Sequence, residues 1–374
     1  MDKKLFRNAD FVSAKKNLIS KLRFFFGTLL GVFFCVLGVY ISFSLAKNGS
    51  DLFYYAMAFA FPGSAIEFLQ EPVFEEKEEV FVFEEEVPSS EPEEEGLPEL
   101  SAPEILLEIP EERRGKVTET KYSASEGGVY LSYKNAIIKN CTKHSAAEIK
   151  KKLETGHSLS LSEDSMQILL YHTHATEAFE KTDGGIFDTE GTWRSTDPDE
   201  NMIAVGDVLT SVLTDKGFSV IHDGTMHDDP SYKGSYQRSA VTVEKHLSEN
   251  PGITICLDLH RDAIEPSAKE IIKPTAVING KKAAQIMIIS GCDDGTMDMP
   301  EYWENLRFAV ALADKIEELY PGLCRPILFD YRKYNMDLSP GLLLIEIGAT
   351  GNTLEEAKYS AELLGNAIFE LFNE

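Results

Sequence analysis

Residues Ile168–Glu177 read ILLYHTHATE. Three apolar residues and a tyrosine make a short buried strand, too short for a helix of its own. The strand ends on His172, Thr173 and His174, and Glu177 follows three residues after the second histidine. A buried strand that delivers imidazoles and a carboxylate into its C-terminal loop is how an open α/β sheet presents a site, in the crevice beyond its strand ends. Histidine and glutamate both ligate zinc, and catalytic zinc takes three protein ligands plus a water. The plainer alternative is a pair of solvated loop histidines and a helix-capping glutamate.

Two later strand ends repeat the pattern. Ile253–Leu257 is a continuous apolar run followed by Asp258, His260, Arg261 and Asp262. Gly341–Ile345 is another, followed at once by Glu346. A carboxylate so close to an apolar strand is costly to bury without a partner, which a metal, its water or a cation would supply. Between these runs, Met202, Val205, Val208, Leu209 and Val212 recur at helical spacing, with Ser195 or Asp197 as the expected cap and Lys216-Gly217 as the stop. Phe218–Ile221, Ala284–Ser290 and Pro326–Phe329 read as further strands, Ser145–Leu153 and Tyr302–Tyr320 as helices, and 227–239 as a turn-rich loop. Strands alternating with helices predict an α/β domain with a mostly parallel sheet flanked by helices. Two or three of His172, His174, Glu177 and His260 as ligands, with Glu346 as general base, is the arrangement of a metal hydrolase. Arg261 then serves either to polarise the scissile carbonyl or to hold a substrate carboxylate.

The chain of 374 residues carries 62 acidic and 36 basic residues, a net charge of −26, which argues against a nucleic-acid surface. Residues 1–23 form a polar, basic tail, and Phe24–Ala46 then runs 23 residues without a charge. At 1.5 Å per residue such a helix is about 34 Å long, enough to cross a hydrocarbon core of about 30 Å. The basic cluster precedes the span, so the tail is expected in the cytoplasm and everything after residue 47 outside, as a single-pass protein of the cell membrane. Residues 51–70 are apolar but broken at Pro62-Gly63; a juxtamembrane amphipathic helix is favoured over a second short membrane segment. From Glu71 to Gly115 the composition collapses to Glu, Pro, Ser and Val, so 47–115 reads as a juxtamembrane segment and an extended, disordered acidic linker. A globular domain is expected over 116–374. Its cysteines (Cys141, Cys256, Cys292, Cys324) show no CxxC pair and read as mostly buried thiols.

The runs YHTHATE, DENMIAVGDVL, HDDPSYKGSYQRS, LDLHRDA, AQIMII, YNMDLSPGLLLIEIG and NTLEEA occur in one order between Ser165 and the C-terminus. In this the chain closely resembles the stage II sporulation protein P family. The resemblance implies a phosphorylase/hydrolase-like domain and a zinc-dependent N-acetylmuramoyl-L-alanine amidase of peptidoglycan that also cuts peptide cross-links. It further implies action during forespore engulfment, with the stage II sporulation proteins D and M as partners. By the same resemblance His174 and His260 hold Zn2+ and Glu346 is the catalytic glutamate. The remaining ligand is Glu177 or Glu200. Glu177 is preferred because it requires no folding of the long loop between them. His172 is then behind the ligands or facing substrate, with Tyr232, Tyr236 and Arg238 also expected to face substrate. Two other readings stand beside this one: a metal-free glycan hydrolase using Glu177 or Asp258 with Glu346 as a carboxylate pair, and a non-catalytic wall-binding scaffold.

Overall fold

The computed structural model describes residues 109–162 and 166–373. The basic tail, the expected span and most of the acidic linker lie outside the described residues; among the described ones no helix is long and apolar enough to cross a membrane. In chain order the elements are β1 (Arg114–Thr120), β2 (Tyr130–Tyr133), β3 (Ala136–Asn140), α1 (Ala146–Leu153), β4 (Ile168–Tyr171), β5 (Ile186–Asp188), α2 (Met202–Asp215), β6 (Val220–His222), α3 (Ser235–Glu249), β7 (Ile255–Asp262), β8 (Glu270–Ile278), β9 (Lys281–Ala284), β10 (Ile286–Gly291), α4 (Tyr302–Leu319), β11 (Ile327–Asp330), β12 (Leu342–Ala349) and α5 (Leu354–Phe372). The first strand thus starts at Arg114, inside the stretch read as linker.

Eight strands form the main sheet in the order β2-β3-β11-β10-β12-β7-β4-β6. Five of its seven adjacent pairs are parallel; β2–β3 and β10–β12 are antiparallel. The consecutive apolar residues of β4 reflect burial on both faces. Ile168 and Leu170 join Leu209 of α2, Phe308 of α4 and Leu364 of α5 in one core. Leu169 and Tyr171 point the other way, into a core with Cys256, Leu342, Leu344 and Val243 of α3.

Helix α2 begins at Asn201, whose side chain accepts from the Ile203 amide at 2.9 Å, and not at Ser195 or Asp197. The Asp197–Glu200 run folds instead into its own turn, with Asp197 accepting from the amides of Asp199 and Glu200. The expected stop holds: Gly217 adopts φ +96° and the Phe218 amide returns to the Leu213 carbonyl at 3.1 Å.

A second sheet, β5-β1-β8-β9, was not legible in the sequence. Strand β8 reads EIIKPTAVI, and its central Lys273-Pro274 breaks the apolar pattern. Lys273 is nonetheless buried, because its ammonium pairs with Glu356 of α5 at 2.7 Å and with Asp183.

The register of β7 and β12 shifts between Glu346 and Ala349, and the bulge centres on Gly348 at φ +72°. A Cβ there would lie 2.7 Å from Asn352 Oδ1 and 2.8 Å from the Ala284 Cβ. Gly348→Ala is therefore expected to destabilise the domain by roughly 2–4 kcal/mol, from the left-handed backbone and overpacking together. A melting temperature unchanged by the substitution would contradict this reading.

Candidate metal centre

Strands β12, β7 and β4 are neighbours and parallel, so their C-terminal ends fall side by side. The register sets Tyr171 opposite Asp258 and His260 opposite Glu346. By strand alternation Asp258, His260 and Glu346 share the α3 face of the sheet. Strands β7 and β12 run further than their apolar segments suggest, so His260 and Glu346 are strand residues and not loop residues. That gives both a fixed backbone.

His174, Glu177 and His260 meet there, each offering one ligand atom with all three atoms within 4.8 Å of one another. Glu177 lies between the two imidazoles, its Oε1 3.5 Å from His174 Nδ1 and its Oε2 3.6 Å from His260 Nδ1. The second nitrogen of each ring faces a polar side chain. His260 Nε2 sits 2.9 Å from Asp258 Oδ1, and His174 Nε2 lies 3.0 Å from the Ser235 hydroxyl. Both Nδ1 atoms are thereby aimed at the common point, the orientation that outer carboxylates and hydroxyls impose on metal-bound histidines. Asp258 is itself fixed by the Thr173 amide at 2.8 Å and the Thr173 hydroxyl at 2.7 Å. With both oxygens engaged, it is not placed to act as a glycosidase carboxylate.

The electrostatics follow from burial. Burial opposes ionisation of Glu177, but His174, His260 and Arg261 outweigh it and hold its carboxyl well below the usual range. Burial likewise disfavours the His260 cation, yet Asp258, Glu177 and Glu346 around it raise its pKa to about 10. The Glu346 pKa is raised too, to about 8, through burial and the negative charges of Asp262 and Glu177, with His260 and Arg325 opposing. Its buried Oε2 finds no hydrogen-bond partner among the described residues. Two imidazole nitrogens and a carboxylate, oriented from behind and bordered by an unsatisfied glutamate, fit zinc.

Other expected site residues stand elsewhere. Glu200 is exposed on the Asp197–Glu200 turn and accepts from Ser195, so Glu177 and not Glu200 joins the cluster. His172 is fully buried and does not face substrate. Its Nδ1 lies 3.0 Å from the Leu259 carbonyl and its Nε2 2.9 Å from His222 Nε2, and burial with the neighbouring His222 lowers its pKa to about 3. Strand alternation explains the difference: His172 and Tyr171 point to opposite faces. Arg238 closes its own loop by donating to the carbonyls of His227 (2.6 Å), Lys233 (3.1 Å) and Ser231. The buried Arg261 guanidinium donates to the Ala178 and Trp193 carbonyls at 2.7 and 3.0 Å and to the Thr350 hydroxyl at 2.9 Å. It braces the loop behind Glu177, and its backbone amide donates to Glu177 Oε2 at 3.1 Å. Neither expected role toward substrate fits that position.

Tyr232 and Tyr236 do reach the centre. The Tyr232 ring stacks on His174 at 4.5 Å, and Tyr236 meets it edge-on at 5.5 Å. Sequence reasoning missed Tyr334, stacked on Tyr236 at 5.1 Å, and Arg194, 3.8 Å from Glu177 Oε1. Arg194 arrives through an antiparallel bridge to Glu177 that ties two loops together, and no periodicity announces such a bridge.

The fold and site define a mixed α/β domain with a His–Glu–His cluster and a half-buried glutamate at the ends of three adjacent parallel strands. The chain belongs to the stage II sporulation protein P family, which it matches over residues 78–369. It is 28% identical over 228 residues to stage II sporulation protein P of Bacillus subtilis (strain 168), a match covering 56% of this chain and 51% of that one. The chain thus matches about half the length of this curated relative. Similar solved structures include the N-acetylmuramoyl-L-alanine amidase AmiC2 of Nostoc punctiforme (TM-score 0.35, 10% identity, 57% of this chain and 100% of that one). Another is the CwlD amidase from Clostridioides difficile in complex with the GerS lipoprotein (TM-score 0.33, 12% identity, 55% of this chain and 96% of that one).

Proposed function

We propose that this chain is a membrane-anchored, zinc-dependent peptidoglycan hydrolase that cleaves the amide between muramic acid and L-alanine, and peptide cross-links as well. The observation that carries the reading is the meeting of His174, Glu177 and His260 beside Glu346. These three residues would hold zinc, which when bound polarises the carbonyl and lowers the pKa of water. Glu346 takes a proton from the attacking water and returns it to the leaving nitrogen, so the amide is replaced by a carboxylate and a free amine. Asp258 and Ser235 keep the two imidazoles aimed, and Tyr232 and Tyr236 wall the centre. Family membership supports peptidoglycan as the substrate.

The test is metal analysis of the purified chain alongside digestion of isolated sacculi. About one zinc per chain and release of new L-alanine amino termini, abolished by a chelator, are expected. Undiminished digestion by metal-free protein would rule the zinc reading out. For the anchor, the charge asymmetry around Phe24–Ala46 supports an external C-terminus. A C-terminal reporter active only in the cytoplasm should stay silent, and a signal from it would reverse the topology.

A further inference from the structure

We propose that Arg194 anchors a free carboxylate of the substrate, on the stem-peptide side of the scissile amide. The inference rests on the hydrolase reading above and adds to it a binding contact and a charge preference.

The centre is crowded with acids: Glu177 lies 3.6 Å and Asp258 2.9 Å from His260, and Glu346 stands opposite His260 in the β7–β12 register. An anionic peptide approaching it is repelled unless a cation stands at the opening. The arginines inside, Arg261 and Arg325, are buried and engaged with protein groups. Arg194 differs: its side chain is 39% exposed while its partner Asp228 is 1% exposed. One terminal nitrogen is fixed, donating to Asp228 Oδ2 at 2.7 Å and to the Thr176 hydroxyl at 3.3 Å. The other lies 3.8 Å from Glu177 Oε1, outside hydrogen-bond distance. The guanidinium also rests over the Tyr232 ring at 5.0 Å, and that ring stacks on His174. A planar fork clamped through one nitrogen, supported by an aromatic ring and carried on a partly exposed side chain is prepared for carboxylate binding. Asp228 fixes its orientation before substrate arrives, which reduces the ordering cost of binding.

The test compares two synthetic muramoyl stem peptides that differ at one group, the D-glutamate α-carboxylate, left free in one and converted to a primary amide in its twin. Binding is measured by calorimetry with the full zinc-loaded chain carrying Glu346→Gln, so that neither peptide is consumed. With Arg194 present the free carboxylate should bind roughly 10- to 100-fold more tightly than the amide, the range of a charge-assisted pair. Arg194→Met should bring the ratio to near unity, and Arg194→Lys should leave part of it. Removing the guanidinium alone strands the buried Asp228 carboxylate, so Arg194→Met combined with Asp228→Asn provides a variant without an unpaired buried charge. Twins that bind equally in the presence of Arg194, or a preference that survives its loss, overturn the proposal. Cleavage of the same peptides by the chain with Glu346 intact tests the hydrolase reading separately: failure there, with the binding preference intact, removes the activity and leaves the anchor.

Discussion

Glu346→Gln is expected to retain zinc while hydrolysis falls by roughly 10²–10⁴-fold, the range for loss of a positioned general base. The amide keeps the shape of the side chain and loses only its capacity to take a proton. The residue is placed for that role by the sheet, because the β7–β12 register sets it beside His260 and the bulge at Gly348 follows immediately. In the metal-free protein burial, and then Asp262 and Glu177, raise its pKa to about 8. Zinc stoichiometry and turnover measured on the same preparation decide the matter. Loss of metal would make Glu346 a ligand, and full activity would place the chemistry elsewhere.

His174→Ala, His260→Ala and Glu177→Gln should each lose zinc together with activity, whereas Glu200→Gln should keep both. The first three supply the ligand atoms that meet within 4.8 Å, and the fourth is on an exposed turn. Asp258→Asn is the intermediate case: the ligand remains but its orienting charge is gone, so zinc affinity should drop about 10- to 100-fold. The sign of the pH dependence follows from His260. Its pKa of about 10 in the metal-free protein means that it carries a proton at neutral pH, and zinc must displace that proton. Affinity should therefore weaken as pH is lowered, by up to about tenfold per unit for one proton released. Competition with a chromogenic chelator across a pH series measures it. A flat profile would show that no proton leaves His260 on binding and would contradict this expectation.

The sequence by itself determined the strands that carry the site. Apolar runs at Ile168–Tyr171, Ile255–Leu257 and Leu342–Ile345 are buried on both faces, which is why they read as continuous hydrophobic segments and why polar residues at their ends stood out. Strand ends in a parallel sheet converge, so His174, His260 and Glu346 could be grouped before any coordinates. Glu177 was preferred over Glu200 on chain proximity, and the structure brings it between the two imidazoles. Only the tertiary structure decided what the remaining polar residues do. His172 and Arg261 have the chemistry of site residues, but their side chains are held by carbonyls and, for His172, by a second imidazole, all contributed by other segments. Which groups those are depends on pairings between loops far apart in sequence. The same holds for Arg194, brought to the centre by its bridge to Glu177, and for Lys273, whose burial within β8 rests on a glutamate from α5. Hydrophobic periodicity records which face of an element is buried. It carries no record of the hydrogen-bond partner that makes a buried charge tolerable, and so the core was legible from the chain while the division of labour among its charged residues was not.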